Sequence, residues 1–198
     1  MIPTMRRVSF ESCETLTQSE FAEWVMGLSD DNHYELLNGR VVMEPPAGWP
    51  HGRVGARILG RVLELVEREG LGEVFDASQG FELPSGDTVE PDVSFVSAER
   101  LAAGPAPRPG KFLAVVPDLI VEVLSPSNAW RDRGEKKGIY EGTGVREYWL
   151  ADPRAGRIVR FARGEDGRFD GGTVAERGEH LESAILPGLR VAVDDVLP

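Results

Sequence analysis

The sequence predicts an α/β (α+β) protein, a mixed β-sheet flanked by helices with additional β-hairpins. Three observations carry this: one long amphipathic helical pattern near residue 60, short β-branched runs separated by turn residues, and a strand–helix–strand succession from residue 119 onward. At 198 residues, with 41% hydrophobic and 28% charged, the chain suits one core of ordinary composition, so a single domain over residues 1–198 is expected.

Thr17-Gln18-Ser19-Glu20 has the form of a capping box, and Phe21, Trp24, Val25 and Leu28 follow at helical spacing, so a short helix starts there. Residues 34–43 read as a β-hairpin, because Asn38-Gly39 supplies the positive φ values of a type I′ turn. Pro45, Pro46, Gly48 and Pro50 make a loop. From His51 to Glu69, Val54, Ile58, Val62, Leu65 and Val66 line one face of a long helix that Gly70 ends. Strands are expected over residues 73–75, 80–83 and 88–96, with a Pro84-Ser85-Gly86-Asp87 turn before the last. Ser97 opens a short helix, residues 102–110 form a Pro/Gly/Ala loop, and residues 112–116 begin another β segment. Residues 119–124 are apolar apart from Glu122, the pattern of a central strand buried on both faces. A helix over about residues 132–142, a strand over residues 145–151, and short β segments through residues 157–162 and 189–193 complete the reading.

Composition narrows the function. No apolar run approaches the ~20 residues needed to cross a bilayer, and the basic residues 1–7 have no apolar stretch behind them, so neither a membrane partner nor a secretory signal is expected. Cys13 stands alone, which excludes an internal disulfide framework and a Cys-based zinc site and points to a reducing, cytoplasmic setting. His33, His51 and His180 are too scattered for a zinc motif, and there is neither a P-loop nor a Gly-x-Ser-x-Gly elbow. The formal net charge of −11 repels a phosphate backbone at long range, so a nucleic-acid partner needs local compensation. Arg53, Arg57 and Arg61, four residues apart on the long helix, fit a phosphate track and fit a solvated stripe equally well.

Two carboxylates on separate apolar runs carry the chemistry: Asp92 in Val89-Glu90-Pro91-Asp92-Val93-Ser94-Phe95-Val96, and Glu122 in Leu119-Ile120-Val121-Glu122-Val123-Leu124. A carboxylate in such a run is costly to bury unless it faces a cation. Two of them, followed by a lysine-bearing helix, can build a Mg²⁺ site that cuts phosphodiesters. Pro117-Asp118 rivals Pro91-Asp92, but Asp118 and Glu122 on one extended strand lie about 13 Å apart, too far to share an ion bound at ~2.1 Å. Asp118 is therefore expected to start its strand, and Asp92 to partner Glu122 by sheet pairing. Beyond Ser125-Pro126-Ser127-Asn128, Asp132, Lys136 and Tyr140 recur at four-residue spacing and give one helical face an acid, a base and a phenol. By itself that triplet reads as a surface Asp–Lys pair with Tyr140 packed on the sheet. Beside Asp92 and Glu122 it reads as part of a site, since an ammonium near a metal positions water and stabilises developing phosphate charge. Lys137 points about 100° away around the helix.

Further segments run in order through most of the chain: Tyr34-Glu35-Leu36-Leu37-Asn38-Gly39, Pro50-His51-Gly52, Glu90-Pro91-Asp92-Val93, residues 117–127, residues 132–140, and residues 144–153. In them the sequence resembles the Uma-type family of restriction endonucleases, a branch of the PD-(D/E)XK nuclease superfamily. The resemblance implies a restriction-endonuclease-like core and a metal-dependent endonuclease that hydrolyses phosphodiester bonds in DNA. The superfamily's Glu-x-Lys lysine stands two residues after the glutamate, where this chain has Leu124; the resemblance implies a lysine displaced to the following helix, where Lys136 matches. Catalytic residues are then Asp92, Glu122, Lys136 and Glu35, with Mg²⁺ (or Mn²⁺) held by Asp92, Glu122 and the Val123 carbonyl. Glu35 adds a contact behind that metal or to a second one. His51, at the positive end of the long helix, is a candidate phosphate contact, with Ser127, Tyr140, Arg53 and Arg57 as further substrate contacts. A homodimer is suggested by fold analogy alone. Two other readings stay open: a catalytically inactive nuclease-fold binding module, and a hydrolase of a small phosphorylated substrate, which suits the −11 charge better.

Overall fold

The computed structural model describes residues 10–29, 32–44 and 48–198; the basic stretch at residues 1–7 and the expected loop residues Pro45 and Pro46 lie outside them. Its elements follow in the order β1 (Phe10–Thr15), α1 (Gln18–Met26), β2 (His33–Leu37), β3 (Arg40–Glu44), α2 (His51–Glu69) and β4 (Gly72–Asp76). Next come β5 (Phe81–Glu82), β6 (Thr88–Val89), β7 (Val93–Ser97), α3 (Ala98–Ala103) and β8 (Leu119–Val123). A helix interrupted by a π turn follows, with α4 (Ala129–Arg131), the turn (Asp132–Lys136) and α5 (Lys137–Thr143). The last elements are β9 (Glu147–Asp152), β10 (Arg157–Ala162), β11 (Thr173–Glu176), β12 (His180–Glu182), β13 (Arg190–Ala192) and α6 (Val193–Val196).

Six strands form one mixed sheet in the order β11-β10-β9-β8-β7-β4, and five form an antiparallel sheet in the order β1-β3-β2-β6-β5. Strand β8 runs parallel to β9 and antiparallel to β7. A parallel pair needs a crossover connection, and the α4–α5 helix supplies it. On one face of the six-stranded sheet, Val54, Ile58, Val62, Leu65 and Val66 of α2 pack on Val93, Phe95, Leu119, Val121, Val123 and Trp149. Each such side chain contributes roughly 1.5–3 kcal/mol on burial. On the other face, Ile120, Tyr148 and Leu150 meet Ile139 and Tyr140 of α5, together with Leu37, Val42, Phe81 and Val89 from the five-stranded sheet. All five residues of β8 are buried in consequence, as its unbroken apolar pattern implies.

Local signals hold where the residues dictate the backbone. Thr17 and Glu20 form both halves of the capping box, and Asn38 and Gly39 take φ values of 51° and 77° in the β2–β3 turn. Gly70 ends α2 with φ 64°. At Gly72 a Cβ would lie 2.1 Å from the Val96 carbonyl oxygen, so only glycine lets β4 lie this close to β7.

Three expectations change. Residues 88–96 are two strands in different sheets, β6 and β7, because Glu90-Pro91-Asp92 carries the chain across and Pro91 has no N–H for the ladder. Residues 112–116 provide only an isolated bridge between Leu113 and Phe81. The helix expected from residue 132 starts at Ala129 and contains the π turn. Asp118 is fully buried at the start of β8, where it accepts the Ser97 N–H at 2.8 Å and pairs with Arg100 at 3.1 Å and Arg146 at 3.3 Å. Among the described residues no helix is long and apolar enough to cross a membrane.

Candidate active site

The break at Pro91 sets the geometry. Val93 pairs with Val121, so Asp92, the residue just before β7, falls at the level of Glu122 on the neighbouring strand. Asp92 Oδ2 accepts the Val123 N–H at 2.7 Å and lies 3.2 Å from His51 Nε2. His51 is the first residue of α2, so the positive end of the long helix abuts this carboxylate. Burial works against a charged His51 ring, but Asp92 and the Val123 backbone outweigh it and raise its pKa.

The crossover helix brings the lysine. Glu122 Oε1 accepts from Lys136 Nζ at 2.7 Å and from the Tyr140 hydroxyl at 2.7 Å. Lys136 Nζ also meets Glu35 Oε1 at 2.9 Å and stands 4.0 Å from Asp132 Oδ1. One ammonium thus joins β8 of one sheet to β2 of the other. The hairpin is fastened over the helix by Asn38 Nδ2 donating to Glu135 Oε1 at 2.7 Å and Asn128 Nδ2 donating to Glu44 Oε2 at 2.6 Å. The buried Arg131 guanidinium faces Glu11, Glu44 and Glu135. Leu124, two residues after Glu122, packs in the apolar cluster with Ile139 and Tyr140 and presents an edge to the cleft. Lys137 turns away, its Nζ 4.4 Å from the Phe161 ring centroid. The Asp132–Lys136 pair is therefore not a surface ion pair: Asp132 is 1% exposed and Lys136 3%.

Carboxylates outnumber their cations here. Glu35 Oε2, Glu44 Oε1 and both oxygens of Asp132 are buried without a hydrogen-bond partner among the described residues. Burial pushes the Glu122 carboxyl well above the usual range against the pull of Lys136, and raises Glu35 in the same way. Asp132 is pushed up to about 7, again by burial and against Lys136. Burial also opposes the Lys136 charge, but Glu122 and Glu35 prevail and hold its pKa well above the ordinary value. An excess of hard oxygen donors fits a divalent cation. Among the described residues no group of three His, Cys, Asp or Glu side chains is placed to hold one ion.

These groups line a cleft of about 1170 Å³ between the start of α2, the β2–β3 hairpin and the loop after β8. Asp92, Glu122, Lys136, Glu35, His51 and Ser127 all line it. Ser127 Oγ lies 2.8 Å from Ser125 Oγ, and Asn128 Oδ1 accepts from the Ser125 hydroxyl at 2.6 Å. Tyr140 is fully buried with its hydroxyl spent on Glu122, so it positions that carboxylate and has no surface to offer a substrate. Arg53 and Arg57 are engaged elsewhere: they donate to the carbonyls of Val196 at 3.4 Å and Asp195 at 2.5 Å, while Arg61 meets Asp195 Oδ2 at 3.0 Å. The stripe that reads as a phosphate track anchors α6. The spacing that puts Asp132 on the lysine's helical face is met in the structure, whereas Glu44 and the His33–Glu90 pair, 3.0 Å apart, join the site without having been singled out from sequence. Glu90 stood beside Asp92 in the segment Glu90-Pro91-Asp92-Val93; Glu44 carried no signal.

A mixed sheet with a strand–helix–strand crossover, packed against a second, antiparallel sheet, makes an α+β fold. The chain belongs to the Uma2 family, described as "Putative restriction endonuclease", whose model matches residues 18–194. It is similar to the crystal structure of a "putative nuclease belonging to DUF820" from Anabaena variabilis ATCC 29413, with a TM-score of 0.74 and 16% identity over 91% of this chain and 97% of that one. No curated protein matches the sequence.

Proposed function

We propose that the chain hydrolyses phosphodiester bonds in DNA with the aid of Mg²⁺ or Mn²⁺ held by Asp92, Glu122 and the Val123 carbonyl. The observation that carries this is the buried cluster in which Lys136 bridges Glu122 and Glu35 beside Asp92, with carboxylate oxygens left unpaired. When bound, such an ion polarises the scissile phosphate and lowers the pKa of a coordinated water. The chain's own residues do the rest. Lys136 stays charged between its two carboxylates, so it serves as a donor that orients water and neutralises charge growing on the phosphate, and not as the base. Glu35 holds the ammonium at its post, and Tyr140 fixes the rotamer of Glu122. Any ion at Asp92 and Val123 must share them with the His51 ring or displace it, since the ring faces both.

The test is hydrolysis of supercoiled plasmid and of labelled oligonucleotides with Mg²⁺, Mn²⁺ or EDTA. Nicking that needs the metal and disappears in Glu122→Gln and Lys136→Ala is expected. Robust activity surviving both substitutions sinks this site. A second reading, hydrolysis of a small phosphorylated substrate, is favoured by the acidic rim of Glu44, Asp76 and Glu90. Turnover of a small aryl phosphodiester with no action on any oligonucleotide would select it.

A further inference from the structure

The cleft holds few means of gripping a phosphate backbone. Glu44, Asp76 and Glu90 line it, and its basic residues besides His33 and His51 are Lys136, already bonded to two carboxylates, and the exposed Arg154. Arg53, Arg57 and Arg61 of α2 are tied to the C-terminal segment, and the chain carries a net charge of −11. A nuclease so built gains little from the counterion release that supplies most non-specific DNA affinity. It needs a contact that negative charge does not weaken.

Trp49 supplies one. It lines the cleft and is 79% exposed, more than any other large apolar side chain described. Two residues later His51 Nε2 touches Asp92, so the Trp49 Cα stands at most about 7 Å along the chain from that of His51. The same cleft carries apolar lining from Pro50, Leu59, Leu124, Pro126 and Pro153. Resting on the nuclease reading above, we infer that Trp49 is a stacking platform for an unpaired nucleobase beside the scissile phosphate, and that the preferred substrate is single-stranded or locally unpaired DNA. Bases inside a duplex present edges; only an unpaired base offers its face. Every base has that face, so the contact tolerates any sequence, and because stacking neutralises no phosphate it releases no counterions.

Two readouts test this. In hydrolysis of a single-stranded oligonucleotide, Trp49→Ala raises KM about 5- to 150-fold with kcat little changed, and Trp49→Phe restores most of the loss. The wild type favours the single strand over its duplex, and its log KM varies shallowly with log salt concentration. Independently of activity, oligo(dT) quenches the fluorescence of the Ca²⁺-loaded protein, and Trp49→Phe removes that quenching although Trp24, Trp130 and Trp149 remain. Equal KM in Trp49→Ala, a preference for duplex, or equal quenching in Trp49→Phe overturns the inference while leaving the nuclease reading intact. A wild-type dimer that Trp49→Ala splits overturns it too, because Trp49 is then a subunit contact. Quenching through Trp49 in a protein that hydrolyses nothing keeps the stacking site and removes the nuclease.

Discussion

Replacing Lys136 by methionine keeps the apolar stem and removes only the ammonium. Its side chain is 4% exposed and lies 2.7 Å from Glu122 and 2.9 Å from Glu35, each nearly as buried. Removing one partner of a buried ion pair costs roughly 3–5 kcal/mol, because the other charge is left uncompensated. For a chain of this length each kcal/mol moves the unfolding midpoint by ~2–4 °C, so Tm should fall by about 6–20 °C at pH 8 in EDTA. The loss depends on pH. Burial already holds both glutamates above their ordinary values, and without Lys136 they rise further. A carboxyl raised in the folded state keeps a proton that the unfolded chain has released, so stability falls as pH climbs from the unfolded value through the folded one. Below that window both states are protonated and the penalty vanishes. The Lys136→Met deficit, read by urea unfolding followed by circular dichroism, should therefore shrink by at least half at pH 5. Adding Glu122→Gln should recover part of it at pH 8. A deficit that is equal at both pH values, or under ~1 kcal/mol at pH 8, refutes the idea that Lys136 neutralises buried carboxylates.

Asp132 is raised from 3.8 to about 7, so its penalty grows as pH rises between those values; Asp132→Asn should flatten the stability loss between pH 5 and pH 8, and parallel curves would contradict its burial as a charge. Tyr140→Phe removes a buried hydrogen bond to Glu122 and should cost about 1–2 kcal/mol while lowering kcat with KM unchanged; a pure KM effect would return Tyr140 to the substrate side. Asp118→Ala should cost about 2–3 kcal/mol yet leave Mn²⁺ binding by calorimetry intact, because Asp118 serves Ser97, Arg100 and Arg146. Asp92→Asn should abolish that binding with a smaller change in stability; Mn²⁺ affinity equal to wild type would remove Asp92 from the cation site.

Much of this was readable because it rests on local rules. The capping box at Thr17, the Asn38-Gly39 turn and the α2 stripe depend on residues a few positions apart, and each appears where the pattern places it. The buried strand around Glu122 was legible for the same reason. The distance between Asp118 and Glu122 is likewise local, so strand geometry could set Asp118 aside. What sequence could not supply is the partnering between sheets. The run at residues 88–96 alternates like one strand, and only the fold reveals that Pro91 divides it between two sheets, with β6 in one and β7 beside β8 in the other. Glu44 enters the site through Asn128 and Arg131, far away in sequence. Arg53, Arg57 and Arg61 were ambiguous for a related reason: their partner, α6, lies more than 130 residues on.

Whether Asp92 and Glu122 share a cation is tested most directly by soaking crystals in Mn²⁺ and collecting anomalous data at the manganese edge. A peak within bonding distance of both carboxylates and the Val123 carbonyl, lost in Glu122→Gln, is the predicted result. Absence of any peak at millimolar Mn²⁺, or a peak that persists unmoved in Glu122→Gln, contradicts it.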